Sequence, residues 1–112
     1  MELILLLIIV ESGGDLTAIG DNGLAHGCLQ IHEQVIIDVN KHYGTSYKWP
    51  SDCYNKHKSI DICDKYIRLY ANKKRIGKPI TDEIRARIWN GGPNGYKNKN
   101  TIPYWNKVLK LR

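Results

Sequence analysis

One carboxylate stands where it could act as an acid. Glu11 follows the wholly apolar residues 3–10 and comes directly before Ser12-Gly13-Gly14. If the apolar run forms a buried helix, burial raises the pKa of the Glu11 carboxyl, and the glycine turn can open a cleft beside it. A carboxyl that stays protonated near neutral pH can donate its proton to a glycosidic oxygen. A surface Glu at a helix end is the alternative that these residues leave open.

Helices predicted from apolar spacing must position this carboxylate. Ile60, Cys63, Ile67 and Tyr70 recur at intervals of three and four residues, which is typical of an amphipathic helix. Capping residues and glycines indicate the other boundaries. The predicted helices span residues 2–12, 29–43, 59–73 and 81–90, and a last one begins near residue 101. Residues 15–26 leave room only for a short irregular or hairpin structure, and residues 44–57 are predicted to form a loop.

Length and composition predict a single domain over residues 1–112. The chain is 42% hydrophobic and 25% charged, and its length is enough for a core without disulfide bridges. The apolar run is too short for a membrane-spanning helix, which needs about 20 apolar residues. No Lys or Arg precedes the run and no cleavage pattern follows it, so we expect no signal peptide.

Cysteine and histidine residues are candidates for a metal site. The candidates are His26, Cys28, His32, Cys53, His57 and Cys63. Their spacing matches no known zinc motif, and close pairs such as Cys-x-x-Cys are absent. We therefore expect no metal, one disulfide bridge at most, and otherwise buried free thiols.

Three motifs in order carry a resemblance to a known family. They are Glu11-Ser12-Gly13, residues 18–31 with the sequence AIGDNGLAHGCLQI, and residues 86–92 with the sequence ARIWNGG. Together they resemble the goose-type lysozyme and lytic transglycosylase family, and most nearly its small bacteriophage members. The resemblance implies a mainly α-helical, lysozyme-like fold of the α+β superfamily. It implies about five helices around a sugar-binding cleft, with little or no β-sheet.

The resemblance also implies catalytic roles for two carboxylates. Glu11 matches the catalytic acid that protonates the β-1,4 bond between N-acetylmuramic acid and N-acetylglucosamine in peptidoglycan. Asp21 resembles the carboxylate that helps to place the attacking water, although a turn-forming Asx residue is the alternative at this position.

Substrate binding is the second role that the resemblance implies. The predicted binding residues are Ser12, Gly27, Gln30, Ile31, Trp89, Asn90, Gly91, Tyr96 and Tyr104. Aromatic rings can stack on sugar faces while amide side chains bind N-acetyl groups, and glycines let the backbone approach the sugar closely. Core packing is the alternative for each aromatic residue.

One position departs from the family pattern. Some goose-type lysozymes carry a further acid directly after the Gln-hydrophobic pair, where this chain has His32 followed by Glu33. If Asp21 activates water on the opposite face of the sugar, the enzyme is an inverting hydrolase. If no base places water, the hydroxyl of the muramic acid attacks instead and gives the anhydro product of a lytic transglycosylase. The sequence leaves both outcomes open.

The formal charge of +6 favours an anionic partner, which could be nucleic acid, a membrane surface or the bacterial cell wall. The cations of residues 73–78 and 97–99 are dispersed, and no nucleic-acid-binding module is present. We therefore expect a monomer that binds peptidoglycan glycan strands, with no nucleic acid and no membrane insertion.

A non-catalytic wall-binding virion module is a further class of function. Such a module would be free to lose its acid, so the presence of Glu11 with Gln30 and Asn90 favours an enzyme, which needs no cofactor. Chitin also contains N-acetylglucosamine and stays open as a substrate. Without a signal peptide, we expect a bacteriophage lysis enzyme, or endolysin, or a virion-associated enzyme, with export as the alternative.

Overall fold

Helices make up most of the chain in the computed structural model, which describes residues 2–112. Five helices have nine or more residues, and one has a single turn. They are α1 (Glu2–Ser12), α2 (Glu33–Tyr43), α3 (Lys56–Tyr70), the single turn α4 (Lys73–Ile76), α5 (Asp82–Gly91) and α6 (Ile102–Lys110). The predicted mainly helical, lysozyme-like class is confirmed. No helix within this part of the chain combines the length and apolar character that a membrane span requires.

Helix α1 supplies the centre of the hydrophobic core. Leu3, Ile4, Leu7 and Ile8 are buried, and the helix contacts α3, α5 and α6. Burial of apolar side chains of this size stabilises the fold by roughly 1.5–3 kcal/mol each. The last turn of α1 carries Glu11, so the packing of the helix fixes where this carboxylate lies.

A small hairpin follows α1. Strands β1 (Ile19–Gly20) and β2 (Ala25–His26) pair antiparallel, with Ile19 opposite His26. The backbone at Asp21 and Asn22, in the turn between the strands, has φ of 50° and 56°, a left-handed conformation that residues other than glycine adopt at a cost. This hairpin is the short structure expected between residues 15 and 26.

Helix α2 begins later than the apolar pattern predicts. The prediction began at residue 29, but Gln30 has φ of 51° and Ile31 forms a bridge with His26. His32 is extended, with φ of −85° and ψ of 155°, and α2 begins at the next residue. The apolar residues at this point therefore pack in a buried turn, not in a helix.

Helix α3 begins earlier than predicted. Asn55 is its N-cap and accepts a hydrogen bond from the backbone N–H of Lys58. Ser59, the predicted cap, is buried inside the helix, and its hydroxyl donates to the carbonyl oxygen of Cys53 at 2.7 Å. The helix ends at Tyr70, since Asn72 caps the separate turn α4.

All three cysteines lie in the core as free thiols. Cys28, Cys53 and Cys63 are fully buried, and burial raises the pKa of each thiol. Since the thiolate is the reactive form, these residues act as small apolar side chains.

Two glycines with left-handed backbones allow a matched test of this fold. A methyl group at Gly27 would overlap the carbonyl oxygen of Cys53, whereas a methyl at Gly44, which ends α2, would meet nothing within 4 Å. We expect Gly44→Ala to cost about 1–2 kcal/mol of unfolding free energy, because only the backbone is strained. Gly27→Ala should cost about 3 kcal/mol or more, since overpacking adds to that strain. Urea denaturation measures both, and equal losses would contradict this packing.

Candidate active site

A small cavity of about 180 Å³ lies where α1 ends. The hairpin, the start of α2 and the end of α5 complete its walls. Its lining residues are Glu11, Asp21, Ala25, Gln30, His32, Val35, Trp89 and Asn90. The structure thus brings together five of the residues predicted from the sequence, and adds three that the prediction missed.

Glu11 is partly buried in the wall of this cavity. The Tyr104 hydroxyl donates a hydrogen bond to Glu11 Oε2 at 2.8 Å. Burial raises the pKa of the Glu11 carboxyl to about 7, while Tyr104, Trp89 and the positive charge of Lys107 act in the opposite direction. Glu11 is therefore largely protonated below neutral pH and can serve as a proton donor.

Tyr104 serves this carboxylate and does not line the cavity. Only 9% of its surface is exposed, and burial together with the neighbouring Glu11 raises the pKa of its phenol, so the hydroxyl keeps its proton. The predicted stacking of Tyr104 on a sugar is replaced by hydrogen bonding to Glu11. The two residues are 93 positions apart, and no local pattern in the sequence indicates their contact.

Helix α5 brings Trp89 and Asn90 to the cavity. Trp89 is buried and packs edge-on against Tyr66, with ring centroids 5.7 Å apart. Asn90 is exposed at the rim, where its amide is free to meet a ligand. Gly91 lies outside the cavity and leaves room for the methyl group of Thr101, which lets the segment before α6 approach α5 closely.

Asp21 and His32 form the side of the cavity across from the core. The His32 Nε2 atom lies 3.2 Å from Asp21 Oδ2, and the two side chains are 47% and 58% exposed. The cavity therefore holds a partly buried carboxyl, Glu11, and a second carboxylate that faces water. Two carboxyl groups in such different surroundings can take different protonation states.

Gln30 lines the cavity, but its amide is also used to hold the hairpin. Its Nε2 donates to the carbonyl oxygens of Gly27, at 2.9 Å, and Ala18, at 3.2 Å. Its Oε1 lies so close to Gly20 that a side chain at that position would overlap it. The predicted hydrogen bonding of the Gln30 amide N–H to an N-acetyl group would require these bonds to break.

Four other predicted binding residues lie away from the cavity. Ser12 Oγ donates to the Cys28 carbonyl at 2.8 Å and accepts from the N–H of Gly14, which ties α1 to the turn before α2. Gly27 faces the Cys53 carbonyl. The remaining two are Ile31, which is fully buried, and Tyr96, whose ring lies 5.8 Å from both Arg75 and Lys97.

A larger groove of about 940 Å³ lies at the other end of α1. Most of its charged side chains pair with one another: Asp82 with Arg85 and Arg112, and Asp64 with Arg68. These ion pairs leave few charged groups in the groove that could act on a ligand. Across the described residues 2–112, no group of three or more His, Cys, Asp or Glu is arranged to hold a metal.

Removing the Tyr104 hydroxyl tests its effect on Glu11. In Tyr104→Phe the ionised carboxylate loses a hydrogen bond, so we expect the pKa of Glu11 to rise above about 7 by roughly one unit. Carbon-13 NMR titration of the side-chain carboxyl measures this value. Tyr43→Phe is the control, because that hydroxyl donates to the Lys65 carbonyl. A lowered or unchanged pKa in Tyr104→Phe would show that the bond does not favour the ionised form.

The raised pKa also predicts a pH-dependent stability cost. Glu11 has a pKa of about 7 in the fold, against the ordinary value of 4.5 for a glutamate side chain. The folded state therefore holds this proton more tightly, and the stability gained from protonation is lost as pH rises from about 4.5 through 7. We expect Glu11→Gln to be more stable than the wild type by roughly 2–3 kcal/mol at pH 8 and similar to it at pH 4. Urea denaturation at both pH values measures the gap, and a constant difference would contradict the raised pKa.

Known lysozymes from bivalves are similar to this chain in sequence. A lysozyme of Meretrix lusoria is 37% identical over 89 residues, which cover 79% of this chain and 68% of that protein. An invertebrate-type lysozyme of Ruditapes philippinarum is 33% identical over 88 residues, which cover 79% of this chain and 61% of that protein. No family model matches the chain.

A solved structure shares the fold. Meretrix lusoria lysozyme, crystallised in complex with Aeromonas hydrophila PliI, superposes with a TM-score of 0.84 and 30% identity. The superposition covers 99% of this chain and 88% of the solved one.

These relatives correct the resemblance to goose-type lysozymes and their bacteriophage members, which is wrong, and nothing supports an endolysin or phage origin. The motifs predict the wrong family because their residues are needed by the local geometry around the cavity. Gly27 clears the Cys53 carbonyl and Gln30 ties the hairpin, so both motif residues have tasks in the fold itself. With 37% identity over most of its length to a bivalve lysozyme and a matching fold, the chain belongs to the invertebrate-type lysozyme family of glycoside hydrolases.

Proposed function

We propose that this domain is a muramidase that hydrolyses the β-1,4 bond between N-acetylmuramic acid and N-acetylglucosamine in peptidoglycan. One observation carries the proposal: the partly buried Glu11 carboxyl, hydrogen-bonded by Tyr104, shares a cavity with the exposed carboxylate of Asp21. Glycosidases of this kind use a pair of carboxyl groups with separate roles. The relatives named lysozymes support the same substrate class.

Glu11 is the general acid of the proposed reaction. Its proton passes to the glycosidic oxygen as the bond to the anomeric carbon breaks, so the leaving sugar departs with a neutral hydroxyl. The Tyr104 hydroxyl then stabilises the carboxylate that is left. Before the reaction, burial keeps Glu11 protonated because a low-dielectric environment disfavours the charged carboxylate.

Asp21 is the second carboxylate. Bond breaking leaves positive charge on the sugar ring, which the negative charge of Asp21 stabilises, and the same carboxylate places the water that attacks the anomeric carbon. Asp21 accepts the proton released by that water, and proton exchange with solvent then returns Asp21 to its ionised form and Glu11 to its protonated form. Placement of water by Asp21 favours hydrolysis over the internal attack that gives the anhydro product.

Trp89 and Asn90 are the sugar-binding side chains in this proposal. The Trp89 ring lines the cavity, and the exposed amide of Asn90 can both donate to and accept from an N-acetyl group. Gln30 supports the hairpin that carries Asp21. Ser12, Gly27, Ile31, Gly91 and Tyr96 shape the surrounding loops and do not contact the sugar.

Digestion of purified peptidoglycan tests the proposal. The wild type should release fragments with reducing-end muramic acid, and its activity should fall as pH rises above about 7 because Glu11 loses its proton. Glu11→Gln should lose at least about 100-fold of the rate, since it has no proton to donate. Mass spectrometry of the released fragments identifies the ends, and Glu33→Gln, an exposed Glu outside the cavity, is the matched control.

Three results would contradict parts of this proposal. Full activity of Glu11→Gln would remove Glu11 as the acid. Anhydromuramic ends would make the domain a lytic transglycosylase. If the wild type cleaves chitin but releases nothing from peptidoglycan of several wall types, the substrate is wrong, and if it binds walls without cleaving them, the domain is a binding module.

A further inference from the structure

The carboxylate of Asp21 is held in an unusual way. Its backbone is left-handed, with φ of 50°, and its side chain is 58% exposed. Among the described residues 2–112, the partner that the structure gives this carboxylate is the ring of His32, with 3.2 Å between Nε2 and Oδ2. Packing restricts an exposed side chain little, so one partner can decide the direction of the Asp21 carboxylate.

We propose that His32 is a positioning residue that holds the Asp21 carboxylate in the cavity, an inference that rests on the proposed role of Asp21 in the reaction. His32 itself is well placed to do so. The bridge between His26 and Ile31 fixes the residue before it, and α2 begins at the residue after it. Its ring lines the same cavity as Asp21 and Glu11.

The His32 side chain has no competing task in the fold. It occupies the N-cap position of α2 without making a capping hydrogen bond, and 47% of its surface is exposed. His26, by contrast, uses both ring nitrogens, with Nε2 2.8 Å from the Gly23 carbonyl oxygen and Nδ1 2.6 Å from the Tyr54 hydroxyl. Removing the His32 ring should therefore leave the stability of the fold unchanged.

The strength of the contact depends on the substrate. An exposed ion pair contributes little in water, so His32 does not hold Asp21 firmly in the free protein. A sugar bound in the cavity displaces water from the pair and lowers the local dielectric constant, which strengthens the attraction. The Nε2–H can donate to the carboxylate whether the ring is charged or is the neutral tautomer protonated at Nε2. The ring thus orients Asp21 mainly when the reaction requires it.

A double-mutant cycle on soluble peptidoglycan glycan fragments tests this role. His32→Ala should lower kcat about tenfold, the order expected for a misplaced catalytic group, with KM changed less than twofold and the unfolding temperature unchanged. His32→Gln should restore most of kcat, because its amide N–H can replace Nε2–H. In the Asp21→Asn background, His32→Ala should have no further effect. His57→Ala, an exposed histidine on α3, is the control.

Carbon-13 NMR provides a readout that does not depend on activity. With a glycan fragment bound to the Glu11→Gln protein, the carbon-13 chemical shift of the Asp21 carboxyl reports its contact with the His32 ring. That chemical shift should change in the Glu11→Gln, His32→Ala protein and stay the same in the Glu11→Gln, His57→Ala protein.

The outcomes separate the two proposals. If Asp21→Asn keeps the wild-type kcat, the proposed role of Asp21 fails and the role of His32 fails with it. If Asp21→Asn loses activity while His32→Ala keeps the wild-type kcat, only the role of His32 is overturned. An effect of His32→Ala that persists in the Asp21→Asn background, or an Asp21 carboxyl chemical shift that His32→Ala leaves unchanged, also overturns it.

Discussion

Burial of α1 is the constraint from which the chemistry of the site follows. The helix is apolar over residues 3–10 and contacts α3, α5 and α6, so its last turn carries Glu11 into surroundings that disfavour a charge. The C-terminal end of a helix has a partial negative charge, which acts on this carboxyl in the same direction. Tyr104 from α6 supplies the hydrogen bond that keeps the ionised form accessible. The result is a carboxyl balanced near neutral pH.

On the other side of the cavity, the hairpin and the turn before α2 have strained backbone conformations. Asp21, Asn22 and Gln30 all have positive φ, and each such residue stores strain of order 1–3 kcal/mol. The two strands have only two residues each and form few backbone hydrogen bonds. Hydrogen bonds from side chains to backbone atoms therefore also hold the left-handed residues in place. Gln30 binds the carbonyls of Ala18 and Gly27, and His26 binds that of Gly23. These hydrogen bonds stabilise the loop and so offset the backbone strain.

Local patterns in the sequence predict the parts of this site that depend on local structure. The apolar run predicts α1 and the place of Glu11, and Thr81 correctly predicts the N-cap of α5. The start of α2 is not predicted correctly because the left-handed Gln30 is held by hydrogen bonds to carbonyl oxygens up to 12 residues away. The Tyr104 contact is missed because it joins the two ends of the chain.

The three motifs predict the lysozyme-like fold correctly but not the family. Gly27 clears the Cys53 carbonyl and Gln30 ties the hairpin, so these motif residues indicate the architecture without identifying the family. In the proposed mechanism, the partly buried carboxyl of Glu11 on a core helix and the exposed carboxylate of Asp21 on a hairpin have separate roles. The helix sets the proton affinity of Glu11 before substrate arrives, whereas the electrostatic effect of Asp21 grows only as the sugar excludes water from the cavity.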